Sequence, residues 1–266
     1  MKKYWLIFKL TLMEYFVYRL NFLLWQFRNV VSFLALFFFW QAVYSGRQEI
    51  FGYQREQMLS YIVGVSVLRG IVFGSRTADL AGMIRSGDLV NRFLLRPWSI
   101  VKAFFCRDLA AKFLDIIFIT LEIYLISRLM RVELFLPKSW GMIILFVIAC
   151  LLSTLLYFFI SFLLSTIAFW VDNVWAPRWL FGIIFLEFMS GAFFPLDVLP
   201  SFVLKIINLT PFPYLIYFPL KIGLGQLAFG KIASVLMIMV FWLILAVLLT
   251  GSVWRKGLKS YSAYGG

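Results

Sequence analysis

The chain has 266 residues, of which 63% are hydrophobic and only 14% charged, with a mean hydropathy of +0.94. Soluble domains are roughly half apolar, so an ordinary water-soluble globule is excluded, and no stretch is left over for a soluble catalytic domain. The net charge of +13 arises from lysines and arginines lying between apolar runs, which points to membrane orientation and away from nucleic acid as a partner.

The N-terminus resembles a signal peptide in that Lys2 and Lys3 precede apolar residues, but Glu14 and Arg19 interrupt the run and no small-residue cleavage site follows. The segment is therefore expected to be retained. Trp5, Phe8, Leu12 and Phe16 recur at three-and-four spacing, which predicts a helix over 1–21 lying along the cytoplasmic membrane surface; the alternative is a simple extension of the first span.

A hydrocarbon core of about 30 Å needs roughly 17 to 25 helical residues. Apolar runs of suitable length occur at 27–44, 58–74, 109–127, 142–162, 179–195 and 232–250, predicting six spans and an all-α membrane protein. The fourth run stays apolar as far as Trp170, so its helix is either long or broken near Ser165.

Orientation follows from the flanks. One side collects Lys2, Lys3, Lys9, Arg19, Arg28, Arg76, Arg85, Arg92, Arg96, Lys102, Arg107, Arg178, Arg255, Lys256 and Lys259. The other holds only Arg47, Arg55, Arg128, Arg131, Lys138, Lys205, Lys221 and Lys231. The richer side is expected to be cytoplasmic, with both termini on it.

The longest cytoplasmic segment is then 75–99. Thr77 can cap a helix over 78–86, Gly87 can end it in a left-handed conformation, and Pro97 closes the next stretch. Between the fifth and sixth spans, Pro195, Pro200, Pro211, Pro213 and Pro219 divide an apolar stretch into pieces too short to cross. Irregular backbone at membrane depth requires protein cover or water, so 195–230 is expected to form a re-entrant or interfacial cap on the outer side.

No histidine occurs, which removes Ser-His-Asp and Cys-His catalysis and the two-histidine zinc helix. Cys106 and Cys150 have no paired spacing, so neither a disulfide framework nor a metal site is expected. The segment Gly225-Gln-Leu-Ala-Phe-Gly230-Lys231 imitates a phosphate-binding loop, but Ile232 stands where Ser or Thr would hold magnesium. Any ATPase must be another chain. Charges inside spans are costly, which singles out Arg69, Lys112, Asp115, Glu122 and Glu187. Asp115 and Glu122 are seven apart on one helix face, and Lys112 can neutralise Asp115. Glu187 has no basic residue within a helical turn, so it must find a partner on another helix, face water or be protonated.

The order of these parts resembles the permeases of type-two ATP-binding-cassette (ABC) exporters, in particular a bacterial subfamily of similar length. The residues carrying the likeness are Met83-Ile-Arg-Ser-Gly87-Asp-Leu, Leu94-Leu-Arg-Pro97, Ala168-Phe-Trp170, Ser190-Gly191, Phe194-Pro-Leu196, Pro200, Pro211-Phe212, Tyr217-Phe-Pro219, Gly257-Leu258 and Tyr261. The resemblance implies a single transmembrane permease domain over 1–266 in the bacterial plasma (inner) membrane. A second, identical or paralogous permease and cytoplasmic ABC ATPase subunits would be its partners. It implies no catalytic residue and no cofactor in this chain, with ATP and magnesium bound by the ATPase. It also implies that the helix near 78–87 is the coupling helix. Leu80, Met83 and Ile84, spaced three and four apart, are expected to fill a cleft in the ATPase while Asp79, Arg85 and Asp88 set the register at the rim and Gly87 ends the helix; the alternative is that these apolar residues pack the helix onto the membrane ends of its own subunit. Glu187, Asp115 and Glu122 are the candidate residues of a path for a drug, peptide, lipid or glycan. Two other readings stay open: an ion-coupled secondary transporter using acids such as Glu187, although no inverted repeat is evident, and an intramembrane transferase relying on Asp, Glu or Ser in the absence of histidine.

Overall fold

The computed structural model describes residues 2–95, 99–130, 139–173 and 175–261. Arg96, Pro97, Arg131 and Lys138 lie outside the described residues. Helix α1 (Lys2–Val17) and helix α2 (Arg19–Val43) are almost continuous, separated only at Tyr18 (φ −97°, ψ 38°). The first span thus begins earlier than position 27. On α1, Thr11 is buried, while Trp5 and Phe16 are exposed.

A two-stranded hairpin follows, which corrects the purely helical expectation. Strands β1 (Glu49–Ile50) and β2 (Tyr53–Gln54) pair antiparallel with Glu49 opposite Gln54. Phe51 (φ 53°) and Gly52 (φ 78°) both turn in the left-handed region. The hairpin runs directly into α3 (Arg55–Val72), where the Gln57 side chain accepts from Gln54 N–H at 3.1 Å and closes a capping box. Helix α4 (Ala78–Arg85) is short and ends where Gly87 takes φ +78°.

Helix α5 (Ile100–Met130) and helix α6 (Trp140–Thr166) are long, and α6 passes into a 3-10 turn over Ile167–Phe169, near the predicted break. Helix α7 (Trp175–Phe181) continues as a π-helical stretch over Gly182–Phe188. The proline-rich segment forms helices α8 (Ser201–Asn208) and α9 (Tyr217–Gly223), with 3-10 turns before each. Helix α10 (Phe229–Ser260) closes the chain.

Among the described residues, three helices are long and apolar enough to cross a membrane: Arg19–Val43, Trp140–Phe169 and Phe229–Ser260. A fourth crossing is counted only if Ser201–Asn208 and Phe212–Gly223, bent by 77°, act as one span. The expected third span contains Lys112, Asp115 and Glu122 on α5, and the expected fifth is divided into a seven-residue helix and a π stretch. On α10, Met237, Phe241, Ile244 and Leu248 project outward at four-three-four spacing, a surface suited to lipid.

The main core lies where α6 packs against α9, α10 and α3. Leu215, Ile216 and Ile222 are fully buried in it, so the proline-rich stretch is covered by protein, which is what its irregular backbone requires. Gly191 sits in this core at φ +83°, and its carbonyl accepts from Tyr61 Oη at 2.8 Å. A second cluster joins α4 to α5 and α6 through Leu80, Ile84, Leu89, Phe104, Phe158 and Phe162.

Candidate functional site

A cavity of about 380 Å³ lies among α2, α3, α5 and α7 with its π extension. This is within the usual size range of ligand sites. Its wall brings together charges from four elements: Arg28, Arg69, Asp115, Glu122, Arg178 and Glu187. Thus the three acids expected on a path, Asp115, Glu122 and Glu187, do line one space. Trp25, Phe33, Phe73, Tyr157 and Trp179 supply apolar wall, giving a mixed lining.

Glu187 finds its partner on another helix. Arg69 Nη2 forms an ion pair with Glu187 Oε1, with 27% and 22% of the two side chains exposed. The other oxygen, Oε2, is buried without a hydrogen-bond partner among the described residues. Glu122 accepts from Ser66 Oγ at 3.1 Å, and Asp115 takes a long contact of 3.5 Å from Gln26 Nε2. The Arg28 guanidinium stacks on Trp25 with 3.7 Å to the ring centroid. The Lys112 charge acts on Asp115, as its spacing suggests, and also on Asp108. The Lys112 ammonium donates to the Ile71 and Gly74 carbonyls at 2.7 Å each, closing the C-terminal end of α3.

Next to the cavity, α4 is fastened to its own chain on several sides. Thr77 does not cap it: the Thr77 side chain makes no capping bond and instead donates to Ser161 Oγ at 2.6 Å. The preceding turn is held by Asp108, which accepts from Ser75 Oγ at 2.8 Å and from Arg76 N–H at 2.6 Å. Arg107 bridges Asp79 at 3.0 Å and Glu14 of α1 at 3.2 Å. Arg76 adds a 3.6 Å ion pair to Asp79 and stacks on Tyr15.

Burial then divides the residues expected to dock. Leu80 and Ile84 are 0% and 3% exposed, packed against α5 and α6, so they cannot serve as anchors in another protein's cleft without leaving this core. The spacing of Leu80, Met83 and Ile84 read from sequence is that of a helix face, and the face turned inward is the one carrying Leu80 and Ile84. Ala78, Gly82, Arg85 and Ser86 are exposed, with Asp79, Met83, Gly87 and Asp88 partly so. Sequence reasoning missed Arg107 and Asp108 as the residues holding α4. Arg107 was read as an orientation charge alone, and Asp108, just ahead of an apolar run, was not singled out.

Long apolar helices around a charged cavity, with a short helix fixed at its edge, define a membrane transport protein in general form. Residues 30–265 match the family described as "ABC-2 family transporter protein", and the chain belongs to that family. Membership makes it a transporter membrane component and implies association with an ABC ATPase. No curated protein and no solved structure matches the chain.

Proposed function

We propose that the chain is the permease subunit of an ABC exporter in a bacterial inner membrane, moving an amphipathic substrate with ATP hydrolysed by a separate subunit. The observation carrying this reading is the mixed cavity beside a firmly held short helix, α4. The cavity offers ion-pairing and hydrogen-bonding groups to a polar head and aromatic surface to an apolar body. The helix offers a rigid exposed face to a cytoplasmic partner through Ala78, Gly82 and Arg85, with Met83 at its margin. In this reading the chain has six spans with both termini and 75–99 in the cytoplasm, 195–230 caps the outer side, and two permeases, identical or paralogous, form the pore. ATP and magnesium belong to the ATPase.

An ion-coupled carrier would need Glu187 free to exchange its ion. Arg69 already occupies one of its oxygens, which disfavours that use. Purification from native membranes in mild detergent tests the proposal directly. An ABC ATPase should accompany the chain and hydrolyse ATP in the purified complex. Isolation of a chain that transports in vesicles with an ion gradient and no ATPase would overturn it.

A further inference from the structure

Arg178 occupies a position shared by the cavity and α4. It lines the cavity, and its guanidinium donates through Nη1 to Ser165 Oγ at 2.9 Å and through Nη2 to Ser161 Oγ at 2.8 Å. Each serine, in turn, holds Thr77 at the start of α4. Ser165 Oγ donates to the Thr77 carbonyl at 2.7 Å, and Thr77 Oγ1 donates to Ser161 Oγ at 2.6 Å. Thr77, Ser161 and Ser165 are at most 1% exposed. These hydroxyls are therefore sheltered from competing water, and their geometry is held closely.

We infer that Arg178 is a positioning residue that ties the movement of α4 to the helix carrying Glu187, so that a push on α4 reshapes the cavity. The inference rests on the permease reading above and adds a residue and a route to it. Arg178 stands on α7, and the π extension that follows without a break carries Glu187 nine residues later, about 13 Å along a helical rise. The two-donor fork matters. A guanidinium can hold both serines in one plane, so α7 follows α4 in rotation as well as translation, whereas an ammonium is a single point of attachment. Because the same group borders the cavity, an anionic part of a substrate would compete with the serines for it, and the coupling works in both directions as linkage requires.

The test uses the chain co-expressed with its ATPase subunit in lipid nanodiscs, with Cys106 and Cys150 replaced and Ser32→Cys placed in the cavity wall. The rate at which a charged methanethiosulfonate reagent modifies that cysteine is measured with and without ATP and vanadate, at equal trapped nucleotide. In the otherwise native chain, trapping should change the rate about fivefold or more. With Arg178→Gln the change should disappear while the ATPase still co-purifies. The double variant Ser161→Ala with Ser165→Ala should lose it equally, adding Arg178→Gln should cost nothing further, and Arg178→Lys should restore part of it. A full response to trapping in Arg178→Gln would overturn the inference and leave the permease reading standing. No response in the native chain would instead remove the permease reading, and this inference with it. Should Arg178→Gln fail to insert, the serine pair carries the same test, since it removes the link to Thr77 and leaves the charge in place.

Discussion

Arg69 of α3 and Glu187 of the π stretch after α7 are 118 positions apart in sequence and form one ion pair in the cavity wall. Each alone is a costly charge in an apolar setting, and together they make a neutral unit that joins two elements. Neither is fully enclosed, so the pair is screened more than a buried one and its worth is correspondingly reduced.

A double-mutant cycle measures that worth. Arg69→Gln and Glu187→Gln should each lower the unfolding temperature in detergent, and the double variant should lose less than the sum. The coupling should be on the order of 0.5–3 kcal/mol. Strict additivity would mean that the two charges are satisfied independently.

The sequence made these two residues conspicuous but could not join them. Spacing arguments reach only three or four residues along one helix, and this pair spans separate helices. The same limit explains Lys112, whose nearest acid in sequence was Asp115 but whose hydrogen bonds go to the Ile71 and Gly74 carbonyls of α3. Long apolar helices were legible because composition alone marks Trp140–Phe169 and Phe229–Ser260. The hairpin at Glu49–Gln54 was not, since two-residue strands carry no periodicity. The left-handed turn at Phe51 and Gly52 hides behind a residue type that disfavours it. For α4, the helix and its Gly87 stop were legible, but which of its apolar residues face inward depends on Phe158 and Phe162 of α6, far along the chain.

Tyr53 connects the hairpin to the proline-rich segment. Its hydroxyl donates to Asp197 at 2.8 Å and accepts from Lys221 Nζ at 2.6 Å. Burial first, and then the Asp197 charge, push the Tyr53 hydroxyl well above the ordinary tyrosine range. The unfolded chain loses this proton near pH 10 and the folded chain later. The contribution is therefore complete below about pH 10 and is lost as pH rises through the folded value. Tyr53→Phe should reduce the alkaline fall in unfolding temperature, read as the difference between native and variant chains from about pH 8 to 11. Parallel curves would show that Tyr53 does not titrate differently on folding.

Gly191 is irreplaceable on two counts. Its φ of +83° disfavours any side chain, and an added Cβ would lie 2.9 Å from Tyr61 Oη and 3.1 Å from Tyr217 Cβ. Gly191→Ala should cost about 2–4 kcal/mol, seen as a lowered unfolding temperature or reduced yield. A variant as stable as the native chain would mean that this turn can relax.

The proposed topology places Gln48 and Ser86, both exposed, on opposite sides of the membrane. Single cysteines there, in a chain lacking Cys106 and Cys150, should react with an impermeant maleimide from opposite sides of sealed vesicles. Labelling of both from one side would require a different span count.

The two faces of α4 separate folding from docking. Leu80 fills the space between α5 and α6, so Leu80→Ala should cost about 2–5 kcal/mol and lower yield, whatever binds outside. Arg85 is exposed, and its removal disturbs no packing, so Arg85→Glu should leave unfolding unchanged within about 0.5 kcal/mol. Its effect should fall on the partner: a reversed charge at the rim of a contact slows association and changes its salt dependence. Met83→Asp lies between these cases, half in the cluster and half outside, and should weaken ATPase association with a smaller loss of stability than Leu80→Ala. Recovery of bound ATPase from detergent extracts, measured against chain yield at two salt concentrations, distinguishes the faces. If Arg85→Glu and Met83→Asp both retained the ATPase at native levels while folding normally, the docking surface would have to lie on another part of the chain, and α4 would serve only to brace α5 and α6.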